Sequence, residues 1–407
     1  MDKDQGLTSV TIPSSVIRID SQAFSGCTGL SSVTIPERVT YTGSSVFSGC
    51  TGLTSVTLRQ GLIHIGDNMF NGCTGLTSVT IPASVTTIGG GSAFSGCSRL
   101  ESIIVDPGNQ NYANAGGVLL DATRNALIRC PEGKAGAYTI PSSVTTIDYS
   151  AFSDCIGLTS VTILSGVGEI GYRAFSGCTG LTSVTLQQGL YTIGDYAFSG
   201  CSGLTSVIIP ASVTSVAAGN GCESECSPFG WTFSECSALT SAVFLGDAPN
   251  IGPGVFFGTA PGFRVYYLSG REGFTSPIWN GYPAVVIAET THPAASWLLE
   301  HGLWYDTDLH PDPDSDGVSL LMAYALDLDP NLNLQGSLPV PALNGNTLSL
   351  SFHSTSPGIT YKVETSTDLH EWKLKGVTQS APGPDGRSTA TVSLDSPRRF
   401  LRLTVED

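Results

Sequence analysis

A repeat of 23 residues constrains this chain more than anything else in it. Stretches such as "FSGCTGLSSVTIPERV" (24–39), "FSGCTGLTSVTLRQGL" (47–62) and "FSGCSGLTSVIIPASV" (198–213) return with cysteine, glycine and leucine in fixed order. Aligned on the leucine, the anchors fall at Leu7, Leu30, Leu53, Leu76, Leu100, Leu158, Leu181 and Leu204. The step is 23 residues, with one of 24 before Leu100 and two of 35, which reach the anchor Ala135 from Leu100 and Leu239 from Leu204. That makes ten turns, and a fixed period of this size is the mark of a solenoid. One turn cannot bury its apolar side alone; its neighbours must supply the rest of the core.

Within a turn, Val56 and Leu58 alternate with Ser55 and Thr57. This is the period-two pattern of a half-buried strand. A proline often follows (Pro13, Pro36, Pro82, Pro141, Pro210) and ends the strand, because it has no N–H for the ladder. Gly-Cys-Thr-Gly then reads as the tight turn into the next strand. The cysteines Cys27, Cys50, Cys73, Cys97, Cys155, Cys178, Cys201 and Cys236 share one phase and read as a buried ladder of small apolar thiols. No CxxC pair or nearby histidine supports a metal site among them. Cys222 and Cys226, in the insert "AAGNGCESECSPFGW", are a candidate local disulfide in an exported protein.

The motif at Ile193-Gly194-Asp195-Tyr196-Ala197-Phe198-Ser199-Gly200-Cys201 resembles the BspA-type bacterial leucine-rich repeat, and the resemblance covers about residues 6 to 288. It implies a mainly β fold: a right-handed leucine-rich-repeat solenoid of about ten turns, followed by a small antiparallel β domain. "VDPGNQNYANAGGVLLDATRNALIRCPEGKAGAYTIP" resembles the family's inserted hairpin, and the segment from about 240 to 288 its closing turn. Domains are therefore expected at 1–288 (solenoid), 289–335 (acidic linker and short helix) and 336–407 (β-sandwich-like, with Trp372 in its core). The resemblance also implies an exported or cell-surface protein that adheres to host, matrix or cellular partners. The start "MDKDQGLTSVTIP" enters the repeat partway and has no signal-peptide pattern, so we expect an upstream export segment to be missing from this sequence.

Opposite the core, two hydroxyl columns emerge. Ser32, Ser55, Ser78, Ser160 and Ser183 lie in one; Thr34, Thr57, Thr80, Thr162 and Thr185 lie in the other. They form the expected ligand-binding face for a protein or glycan. A self-assembling scaffold, joined through the open N-terminal strand edge, is the second reading. Docking on a crystalline lattice such as ice or a polysaccharide is the third.

Charge excludes one class of partner. With a net charge of −16 and only 18 scattered Lys and Arg, the chain has no basic patch for nucleic acid. No run of apolar residues is long enough to span a membrane. In the acidic stretch, "DPDSDGVSLLMAY" opens like a calcium loop: Asp312, Asp314 and Asp316 as ligands, Gly317 for the turn, and the Val318 carbonyl. Position 12, normally a bidentate Glu, is Ala323, so calcium binding would be weak or need a ligand such as Asp306 or Asp308. His292, His301 and His310 interleave with acids, and Glu223, Glu225 and Glu235 surround Trp231, but neither set has the spacing of a site. No nucleophile elbow, phosphate loop or HExxH occurs. The reading is a binding protein, not an enzyme.

Overall fold

A computed structural model describes residues 6–89, 91–217, 230–288, 293–303, 305–394 and 398–407. The chain divides into two compact units, residues 1–286 and 287–407.

The first unit is a β-solenoid of about eleven turns, mainly β as its pattern requires. Each regular turn contributes a four-residue strand such as Ser55–Leu58 and a two-residue strand such as His64–Ile65. The four-residue strands pair in parallel and in register: Ser32 opposite Ser55, Ser78 opposite Ser102, Ser160 opposite Ser183. Ala135 falls just outside its strand, which starts at Gly136 and slips by a residue before Ala137 meets Ser160. The short strands pair at the same step, so the core is walled on two sides.

Three inter-turn ladders fill that core. Phe24, Phe47, Phe70 and Phe94 stack at 5.4 to 5.8 Å, and Phe152, Phe175, Phe198, Phe233 and Phe256 at 4.6 to 5.6 Å. Such pairs add about 0.5–1.5 kcal/mol each beyond the area they bury. The backbone N–H of Phe47 donates to the Met69 carbonyl at 2.8 Å, and that of Phe175 to Ala197 at 2.7 Å, so each ring is fixed by a bond to the next turn. Every ladder thiol is buried, and Cys73, Cys97, Cys178 and Cys201 each donate at 3.0–3.1 Å to the carbonyl of the phenylalanine one turn back. Cys130, which the repeat count leaves out, is buried as well, and all nine described cysteines are free thiols. The glycine before most ladder cysteines takes the left-handed conformation (Gly49, φ 75°); Asp154 and Glu235 hold the same place in two turns, at φ 60° and 56°.

The 35-residue step between Leu100 and Ala135 contains a hairpin, Tyr112–Ala115 with Val118–Asp121, closed by Gly116 and Gly117 at positive φ. Alternate residues of its second strand serve different cores. Leu119 packs into the N-terminal cluster, while Val118 and Leu120 pack into the C-terminal one. Here the phenylalanine ladder stops, and an ion pair replaces the missing turn. Glu132 Oε1 accepts the Gly96 N–H at 2.8 Å, a donor that in other turns meets a backbone carbonyl. Arg129 Nη1 donates to the Ser150 carbonyl at 2.7 Å, and Nη2 bonds Glu132. Arg129 and Glu132 are 2% and 4% exposed at the side chain. Burial pushes the Glu132 carboxyl above its ordinary value, and Arg129 opposes that.

The second unit is built on helices Ala295–Glu300 and Leu320–Leu326 and on antiparallel strands. Residues 293–335 are more than a linker, because Trp297, Val318, Tyr324 and Leu334 form a core of their own. Leu326 joins a second cluster with Leu350, Phe352, Val363 and Ala390. Thr347–His353 pairs with Arg387–Ser393, and Thr360–Ser366 with Phe400–Glu406. Trp372 departs from expectation: it is half-buried and lies under the Arg402 guanidinium at 4.4 Å.

Replacing Arg129 or Glu132 by Ala strands the partner's charge, and should lower stability by about 3–5 kcal/mol in denaturant melts. Glu132→Gln keeps an acceptor for Gly96 and should cost less; equal losses from all three would reduce the pair to ordinary packing. Burial, their leading influence, pushes the Cys50 thiol up to about 11 and that of Cys97 to about 12. Iodoacetamide at pH 8 should therefore leave Cys50 and Cys97 unmodified until the chain unfolds, as read by peptide mass mapping.

Candidate functional site

The strand face presents the hydroxyl columns outward because the period of two leaves them no other side. Ser32, Thr34, Ser55, Thr57, Ser78, Thr80, Ser183 and Thr185 are exposed, while the intervening Val33, Ile35, Val79 and Ile81 are buried. Ser160 and Thr162 are half-buried. Register lines the columns up, with Thr34 beside Thr57 and Thr162 beside Thr185. The columns are interrupted, however. Ile104 stands opposite Thr80 and Ile208 opposite Val243, and the strands bond in separate groups rather than in one sheet. His64, on the short-strand side, stacks on Tyr41 at 4.9 Å with Nδ1 2.7 Å from Thr87 Oγ1.

In the second unit the three aspartates of the calcium-like loop do converge. Asp312, Asp314 and Asp316 each bring a carboxylate oxygen within 4.8 Å of the others. Gly317, at φ 91°, donates its N–H to Asp312 Oδ2 at 2.9 Å, and Val318 donates to Asp316 Oδ1 at 2.9 Å. Asp316 also takes the Leu334 N–H, which ties the loop to the unit's core. Asp312 Oδ1 is shielded from solvent without a hydrogen-bond partner, which suits a cation ligand. The Asp314 carboxyl sits above its ordinary value through desolvation, then a hydrogen bond with Asp312. Position 12 contributes nothing, since Ala323 is buried in the helix that Ser319 caps. Asp308 does not join the cluster; it bonds the His310 backbone and ring at 3.0 and 2.9 Å.

The weaker sequence constellations do not assemble. His301 Nδ1 lies 2.8 Å from the Trp297 carbonyl and His310 is with Asp308, while His292 falls outside the described residues. Glu223, Glu225, Cys222 and Cys226 also fall outside them. Glu235 is exposed, at a left-handed φ of 56°.

The family model described as "BspA type Leucine rich repeat region" matches residues 3–115 and 134–260 in six copies, more than half of the chain. This chain is a BspA-type leucine-rich-repeat protein. No curated protein matches its sequence. Among solved structures, the pneumococcal vaccine antigen PcpA is similar at a TM-score of 0.52 and 22% identity, over 65% of this chain and 74% of that one; the likeness is one of fold. A leucine-rich cell surface protein from Faecalibacterium prausnitzii (TM-score 0.42, 25% identity, 74% of this chain and 83% of that one) is also similar. So is a leucine-rich-repeat protein from Eubacterium ventriosum (TM-score 0.44, 23% identity, 69% and 88%).

Three carboxylates and a carbonyl would hold calcium weakly. Millimolar Ca²⁺ should raise the melting temperature of the second unit and EGTA should reverse it, with Asp312→Asn/Asp316→Asn insensitive to both. An equal response in that variant would remove the loop from consideration.

Proposed function

We propose that this BspA-type protein is exported and works at the cell surface as an adhesion protein, its solenoid strand face engaging an extended protein or glycan. The observation that carries the reading is the in-register pair of exposed hydroxyl columns, supported on a rigid, stacked core. Family membership supports the surface location. Hydroxyls two residues apart on parallel strands about 4.8 Å apart offer alternating donors and acceptors to a partner lying along or across the turns. The breaks at Ile104, Ile208 and Val243 argue against a rigid crystalline lattice as ligand, because a lattice needs an unbroken grid.

The test uses the full chain against an immobilised panel of matrix proteins, cell-surface glycans and polysaccharides. Thr57→Lys/Thr80→Lys/Thr185→Lys places long charged side chains on the columns without touching the core. It should weaken a saturable hit by about tenfold or more, which is about 1.4 kcal/mol. Binding unchanged by the triple substitution would exclude this face.

A further inference from the structure

A second surface, apart from the hydroxyl columns, follows the short strands of the later turns. Tyr149, Tyr172, Tyr196, Trp231 and Phe257 come one from each turn and touch in series. Tyr149 and Tyr172 stack at 5.5 Å, Tyr172 meets Tyr196 edge-on at 5.7 Å, and Trp231 lies 6.2 Å from Tyr196 and 5.3 Å from Phe257. The ends of the row are open: Tyr149 is 57% exposed and Phe257 54%. The Arg173 guanidinium lies over both Tyr172 and Tyr196, at 5.3 and 5.2 Å. Among the described residues no carboxylate forms an ion pair with it.

The row is not needed for the core. Phe152, Phe175, Phe198, Phe233 and Phe256 already fill the inside of the same turns and are at most 2% exposed. Nor does duplication explain it. Where these turns have Tyr149 and Tyr172, two residues past the short strand, the N-terminal turns have Ser21, Ser44 and Asp67. The next position is left-handed in seven of the turns. Gln22, Ser45, Asn68 and Ser150 occupy it at φ 50–63°, whereas Arg173, Tyr196 and Trp231 hold it at φ 55°, 57° and 42°. Large side chains are disfavoured in that conformation, and strain of this kind gathers at functional positions.

We propose that this stripe is a docking site for an extended polypeptide segment that sets a carboxylate on Arg173 and apolar side chains among the tyrosine edges. Tyrosine, tryptophan and arginine are the residues that dominate protein–protein hot spots. The planar guanidinium, held by two rings, presents its fork to a carboxylate with little freedom left to lose. A glycan fits less well. Pyranose rings stack on free aromatic faces, and between Tyr149 and Tyr172 the faces cover one another.

The experiment selects short random peptides displayed on phage against the full chain and measures the hits by fluorescence anisotropy. One variant carries Tyr149→Ser, Tyr172→Ser and Tyr196→Asn, residue types that the N-terminal turns already hold at these places, so its fold should persist and is checked by thermal melting. Selected peptides should be enriched in Asp and Glu. Their Kd should weaken by about tenfold or more in this variant and in Arg173→Gln, and stay unchanged in Thr57→Lys. Peptides indifferent to both substitutions, or with no acidic enrichment, would overturn the proposal. So would polygalacturonate binding that is lost in the same variants, since the occupant would then be an acidic glycan.

Discussion

Everything in the solenoid depends on contact between one turn and the next. A phenylalanine in one turn has its N–H bound to a carbonyl of the following turn and its ring against the following ring. The thiol beside it points back to the carbonyl of the preceding phenylalanine. Rings, amides and thiols therefore repeat at one spacing, and a turn that lost its phase would break three ladders together. That coupling explains why a cysteine recurs so faithfully without any chemistry to perform. A small side chain with a weak donor fits beside the ring.

The same dependence makes the longer steps a problem, and the protein solves it with side chains. Between Phe94 and Phe152 the ring ladder has no member, and a hairpin fills the gap in the wall. Two backbone groups, the Gly96 amide and the Ser150 carbonyl, face a turn that no longer follows the pattern, the carbonyl while it also accepts the Ser153 N–H. Glu132 accepts from one and Arg129 donates to the other, and their own attraction holds both in a place closed to water. A buried pair of this kind adds little net stability, yet losing either partner is costly, because neither charge tolerates being left alone.

A stacked core leaves every other side chain at the surface, so exposed positions can vary without cost to the fold. The strand face uses that freedom to repeat hydroxyls, and the side beyond the short strands uses it to place large rings only in the later turns. Both faces inherit their rigidity from the same ladder. The second unit has its own cores, and its aspartate loop is held by backbone amides, while the first amides of the helix that follows bond the Leu309 and Pro311 carbonyls just before it.

The period, the alternation of Val and Ile with Ser and Thr, and the phase of the cysteines were all legible in the sequence. Each is a local regularity with one physical meaning: an outward hydroxyl must follow an inward aliphatic residue on a strand. The calcium-like spacing was legible for the same reason, since the loop and its ligands are close in the chain. Pairings of residues far apart or off the repeat's phase were not. Nothing in the repeat singled out Arg129 and Glu132, and Cys130 stood outside its phase. Tyr149 and Tyr172 share one phase, but Tyr196 falls one residue later, so the period does not gather the whole row. Trp372 has the composition of a core residue and instead lies beneath an arginine. Sequence alone set the repeat and the inside and outside of every turn, because those follow from side-chain polarity and chain geometry. Tertiary structure decided which irregular residues meet, because that depends on how the turns are stacked.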